Sequence, residues 1–211
     1  MANFKILLLA TAIVLGACAS YMPAVFKPVG NALVIEGVID ADTLANLQQT
    51  LRENPEVNRL ILQNVPGSAD DESSLTSLGQ FIRKSDLATF VPANGVVASG
   101  GTDMVAMGKV RIIAPGACVG VHTWAEGGLL GADTGADLPR NDPRHQMYLS
   151  FYQEMGIPEE FYWFTLNAAG ADDVHWMTKE EINRYRLSTV PVKGDSAETR
   201  EQREQRCYAR L

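Results

Sequence analysis

The chain has 211 residues, 46% of them hydrophobic and 20% charged, and carries a formal charge of −7. That length suits one domain with a substantial core and leaves little room for two. The acidic balance sets nucleic acid aside as a partner, because phosphate binding depends on clustered Lys and Arg.

The first residues read as an export signal. Lys5 supplies the positive charge, and an apolar run from Ile6 to Ala17 follows that is too short to be taken for a membrane-spanning helix. The run ends in Leu15-Gly16-Ala17-Cys18, which resembles a bacterial lipobox; Cys18 would become the lipid-bearing N-terminus after residues 1–17 are cut away. The other reading is an ordinary secretory signal cut at Ala17 or Ala19, with Cys18 incidental. Ala19 gives no inner-membrane retention signal of the aspartate type, so the lipoprotein reading points to the periplasmic side of a Gram-negative outer membrane. Loss of Lys5 with the signal would take the charge from −7 to −8. In an oxidising compartment Cys118 and Cys207 then form an even pair, either a disulfide or two separate thiols.

After a short linker over residues 19–31, strands and helices alternate. Ala32–Ile39 reads as a strand, Thr43–Glu53 as a helix, Asn58–Val65 as a strand, and Pro66-Gly67 as a break. Asp70–Lys84 is a helix with Leu75, Leu78, Phe81 and Ile82 at helical spacing. Strands are expected at Ala88–Pro92, Gly95–Ala98, Val110–Ile113 and Ala117–His122, with a helix from Ser99 to Gly108. Such alternation predicts an α/β domain with a largely parallel sheet and flanking helices. The Gly-, Asp- and Pro-rich stretch Ala125–Asp142 reads as a mobile loop. Two helices, Pro143–Gly156 and Pro158–Ala169, carry seven aromatic residues from Tyr148 to Phe164, read as core or packing surface. His145 is expected on the surface and His175 in packing beside Trp176. The mixed-charge run at residues 198–206 reads as a solvated helix or frayed tail within residues 193–211. No zinc-type spacing, P-loop or GxGxxG is present, and no cofactor is expected.

Four segments in order, "NVPGSADD", "GVVASGGTDMVAMG", "PGACVGVHTW" and "ADDVHWMTKEEINRYRL", resemble the Clp-protease/crotonase superfamily, most nearly its exported Clp-like branch. The resemblance spans residues 32–192. It implies a superhelix of β-β-α units, Ser99 as nucleophile, His122 as base and an acid near residue 173. It also implies a peptide or ester substrate and self-association into trimers or rings.

The chemistry supplies a reason for the same pair. A serine hydroxyl is a weak nucleophile until an imidazole accepts its proton. Ser99 sits where a strand turns into a helix, which sets the Gly100 N–H at the positive helix end, suited to an oxyanion. A second donor is expected from the turn at Gly67 and Ser68, where Ser68 stands in place of the family's usual second glycine and so narrows the backbone's freedom. The acid is ambiguous. Counted without gaps from Met177-Thr178-Lys179-Glu180-Glu181, its position falls on Val174; a one-residue shift favours Asp173 over Asp172. A serine between Ala and Gly is also what a tight turn tolerates, and a histidine ending an apolar strand is also a satisfied core group. A catalytically silent binding or envelope-scaffold protein is therefore the alternative to a hydrolase.

Overall fold

The computed structural model describes residues 21–69, 72–128, 131–194 and 198–211. The signal segment and Cys18 lie outside the described residues. Among those described, no helix is long and apolar enough to cross a membrane.

The chain enters through a hairpin, β1 (Val25–Val29) and β2 (Ala32–Glu36), joined at Gly30, whose φ of 57° is one glycine adopts without strain. The first of these strands lies in the segment expected to be linker. Helix α1 (Thr43–Glu53) leads to β3 (Arg59–Val65), and α2 (Glu72–Lys84) buries Leu75, Leu78 and Ile82 against the sheet.

Strand β3 then forks. Its first half pairs in parallel with β4 (Ala88–Val91), and its second half with β5 (Val96–Ala98). A turn closed by the Gly95 N–H donating to the Pro92 carbonyl at 2.8 Å separates those two strands. The division propagates: β4 pairs with β6 (Arg111–Ile113), and β5 pairs with β7 (Cys118–Val121). Helix α3 (Gly100–Met107) connects the two levels. Strands β5 and β7 are buried along their whole length, as expected of parallel strands covered on both faces. The result is the α/β arrangement of β-β-α units expected from the sequence, with β1 antiparallel at one edge and β10 (His175–Trp176) at the other.

Between β7 and β10 the expected loop contains a hairpin, β8 (Ala125–Gly128) and β9 (Gly131–Thr134), whose register fixes its two arms. Helices α4 (His145–Glu154) and α5 (Glu159–Ala168) follow. Helix α6 (Lys179–Arg184) starts in a capping box, in which the Thr178 side chain accepts from the Glu181 N–H and Glu181 reaches back to Thr178.

The tail differs from expectation. Residues 200–208 form a helix, α7 (Arg200–Tyr208), docked on the sheet. Cys207 is fully buried and bonded to Cys118, closing a sequence separation of 89 residues, and these two share a small apolar cluster with Val96, Ala98 and Trp176. The Arg206 guanidinium donates to the Gly116 carbonyl at 2.7 Å and pairs with Glu198. Charged residues that looked solvated in sequence therefore tie the tail to the loop before β7.

One contact is very close. A Cβ built on Gly101 would stand 1.9 Å from the Val65 carbonyl oxygen, so the first turn of α3 meets the end of β3 only because position 101 carries no side chain. Gly101→Ala should destabilise the protein by about 3 kcal/mol, an overpacking cost without room to relax, and lower Tm by about 6–12 °C. An unchanged melting curve would contradict this contact. Cys207→Ser should cost about 2–5 kcal/mol through loss of a long-loop crosslink. Limited proteolysis should then cut within α7, while the intact protein resists there.

Candidate active site

Ser99 occupies the junction of β5 and α3 with φ 52° and ψ −127°. Only three described non-glycine residues, Asp86, Ser99 and Arg186, have positive φ, and this conformation costs about 1–3 kcal/mol unless its surroundings impose it. They do. The Ser99 N–H donates to the Gly120 carbonyl at 3.2 Å, and the buried Thr102 hydroxyl donates to the same carbonyl at 2.7 Å. The Ser99 carbonyl in turn accepts from the N–H groups of Thr102 and Asp103. With the backbone held on both sides, the hydroxyl itself makes no hydrogen bond among the described residues.

The first turn of α3 leaves the Gly100 N–H without an intrahelical acceptor. Against it lies the turn at Gly67 and Ser68, pinned by two bonds to Ile39: the Ile39 N–H donates to the Gly67 carbonyl at 3.0 Å and the Ala69 N–H donates to the Ile39 carbonyl at 2.8 Å. In such a parallel bridge the middle residue turns its own N–H to the opposite side, here toward α3. A Cβ on Gly100 would lie 3.0 Å from the Ser68 nitrogen and 2.6 Å from its Cβ, while one on Gly67 would lie 3.7 Å from Ser99 Cβ. Ser68 has no positive φ, so the serine in place of glycine sits there without backbone strain. It fills instead the space that Gly100 leaves open.

His122 follows β7 directly and is half-buried. Its Nδ1 lies 2.7 Å from the Thr123 carbonyl. A carbonyl can only accept, so Nδ1 carries a proton, and in the neutral ring Nε2 presents a lone pair. Ser99 and His122 line the same cleft, and no direct hydrogen bond joins them.

Asp173, favoured in the sequence as the acid, makes no hydrogen bond to His122. Strand β10 pairs antiparallel with β7, setting His175 opposite Val121; continuing that register sets Val174 opposite His122. The ungapped count from Met177 thus lands on the residue just before β10, which is apolar and packs against Gly120 and the cluster around the disulfide. A shift of one residue along a strand turns a side chain to the other face. Asp173 accordingly points to the surface, where Oδ1 accepts from the Tyr208 hydroxyl at 2.6 Å and from the Val174 N–H at 2.7 Å. The Tyr208 hydroxyl holds the Asp173 carboxyl below the usual carboxylate range. Neither Asp173 nor Asp172 is bonded to His122 among the described residues.

The cleft measures about 240 Å³. Its lining also includes Tyr148, Tyr152 and Tyr162, read in sequence as core or packing surface, together with Trp124 and, from α3, Asp103. The Tyr148 ring stacks on both Trp124 and Tyr162, each at 5.4 Å between centroids. Asp103, in the first turn of α3, lies four residues after Ser99 and is not singled out by the sequence pattern. Its Oδ1 accepts from the Tyr152 hydroxyl at 2.5 Å. Burial, and after it the Asp103 charge, push the Tyr152 phenol well above its ordinary value.

The other histidines stand apart from this chemistry. His145, expected on the surface, is 1% exposed, with Nδ1 at 2.6 Å from the Tyr162 hydroxyl; α4 turns it inward against α5. His175 packs edge-on to Phe164 and pairs with Glu181 through Nε2 at 3.0 Å. Among the described residues no group of His, Cys, Asp and Glu is arranged to hold a metal ion.

No protein-family model and no curated protein matches the sequence. Solved structures do match. A variant of the 1510-N membrane-bound stomatin-specific protease, in complex with a substrate peptide, is 19% identical, aligns over 78% of this chain and 74% of its own, and gives a TM-score of 0.53. An enoyl-CoA hydratase from Bacillus halodurans is 16% identical over 89% of this chain and 79% of its own, with a TM-score of 0.48. With its forked parallel sheet, its β-β-α units and its likeness to the 1510-N protease, the chain has the Clp-protease/crotonase fold.

Proposed function

We propose that the protein is a serine hydrolase of the peptidase type. The observation that carries this reading is Ser99: a serine held in a strained left-handed conformation at a strand-to-helix turn, facing a cleft that also contains an imidazole with an open Nε2. The surrounding hydrogen bonds hold that backbone in place, and strain maintained in this way at a cleft supports a functional role for the side chain.

The steps follow from the groups in place. Ser99 Oγ attacks the substrate carbonyl carbon as His122 Nε2 takes the hydroxyl proton. The oxyanion lies between the N–H groups of Gly100 and Ser68, at the positive end of α3. Collapse breaks the bond to the leaving amine or alcohol, which takes the proton from Nε2; water then enters by the reverse sequence to free the acid and restore Ser99. The Thr123 carbonyl does the orienting that a carboxylate does in a triad. It fixes the tautomer, but as a neutral dipole it stabilises the imidazolium less than a charge would.

Peptides are the favoured substrate class, because the 1510-N relative of the same fold is crystallised with one. The reading extends to a lipid on Cys18 holding the domain at the periplasmic face of the outer membrane, and to trimers or rings of this chain, both supported by sequence resemblance.

A fluorophosphonate probe tests the chemistry. The full chain should be labelled, Ser99→Ala should not, and His122→Ala should react on the order of 10³-fold more slowly. A folded protein that stays unlabelled would leave the binding or scaffold reading in its place. The acid has its own test. Asp173→Asn should change the labelling rate less than two-fold, against a loss on the order of 10⁴ for a true triad acid. Val174→Asp, which sets a carboxylate opposite His122, should raise the rate.

A further inference from the structure

The cleft beside Ser99 has a wall that the proposed chemistry does not use. Among its described lining residues, Asp103 is the one carboxylate; the remainder of that wall is aromatic, from Trp124, Tyr148, Tyr152 and Tyr162, with Leu75 and Thr165 at its margins. Asp103 belongs to the first turn of α3, where the helix end favours a negative charge, and the Tyr152 hydroxyl fixes one of its oxygens. A carboxylate in a half-buried cleft attracts a cation more strongly than one in open water, and ring faces add their own attraction for an ammonium or guanidinium. The same aromatic cluster already holds one such group at its outer side, where the Arg140 guanidinium sits 4.2 Å above the Trp163 ring.

We infer that this cleft selects a cationic side chain, lysine or arginine, with Asp103 as its counter-charge and the tyrosine and tryptophan rings flanking its methylene stem. The inference deepens the hydrolase reading and rests on it for one point: with Ser99 preceding the helix whose first turn carries Asp103, and both lining one cleft, the bound cation belongs to the substrate residue whose carbonyl Ser99 attacks. A neutral chain of the same length gains the apolar contact and loses the charge pair. An acidic one meets Asp103 with like charge and should be rejected. Asp103 is then a specificity-determining residue, separate from the bond-breaking groups.

The test separates binding from turnover. The full chain carrying Ser99→Ala, purified in mild detergent, is titrated by calorimetry with three acetylated, amidated tripeptides that end in lysine, norleucine or glutamate. The lysine peptide should bind at least ten-fold more tightly than the norleucine peptide, the glutamate peptide least, and the lysine preference should shrink as salt is raised. Adding Asp103→Asn, which keeps an acceptor for the Tyr152 hydroxyl, should bring lysine and norleucine level, while Asp103→Glu should restore the preference; melting curves check that each variant is folded. Equal binding of lysine and norleucine peptides by the Asp103 protein, or no binding of any of them, overturns the inference and needs no further variant. Lysine preference in a protein that fluorophosphonate fails to label would sink the hydrolase reading and leave the cation cleft standing. Labelling without the preference would do the opposite.

Discussion

The close approach of α3 to the end of β3 is the constraint on which the site depends. Two glycines in succession let the helix start almost in contact with the Val65 carbonyl and the Ser68 turn, and no other residue pair fits that space. Because the helix begins there, its unpaired N–H groups face the same point as the turn's outward N–H, and the serine that precedes it is forced into a left-handed backbone. The carbonyl of Gly120 completes the arrangement by accepting from both Ser99 and Thr102, which ties the helix start to the strand that ends in His122. Packing, strain and the placement of reactive groups thus follow from one geometric fact.

The imidazole is set with a weaker partner than a triad provides. A backbone carbonyl gives direction to the ring and decides which nitrogen is protonated, yet it contributes only a dipole where a carboxylate contributes a full charge. The residue that could have supplied that charge is one step out of register. Strand alternation makes that single step decisive, since Val174 faces the sheet and Asp173 faces Tyr208.

Much of this was legible in the sequence, and the exceptions share a cause. Alternating strands and helices, the serine turn and the histidine at a strand end all declare themselves through local pattern, because each depends on neighbours within a few residues. Ser68 was read as a narrowing of the oxyanion turn, although its actual backbone is one that any residue adopts. The burial of His145 and the docking of α7 are not legible for the opposite reason: both are polar segments whose burial is decided by partners outside their own stretch of chain, Tyr162 in one case and Cys118 in the other. The tyrosines of α4 and α5 are both core and cleft wall, a double role that helical spacing cannot reveal. The placement of Asp173 beside Tyr208 turns on register, which hydrophobic pattern specifies only where a strand is long enough to show it, and β10 has two residues.

The crosslink between Cys118 and Cys207 also makes the last helix of the chain a support of the site. Strand β7 carries one sulfur and lies between β5 and β10, while its partner stands 89 residues later, on α7. The strand that ends beside His122 is thereby fastened covalently to the tail. Reduction of that one bond would loosen the backing of the cleft without touching a residue that lines it.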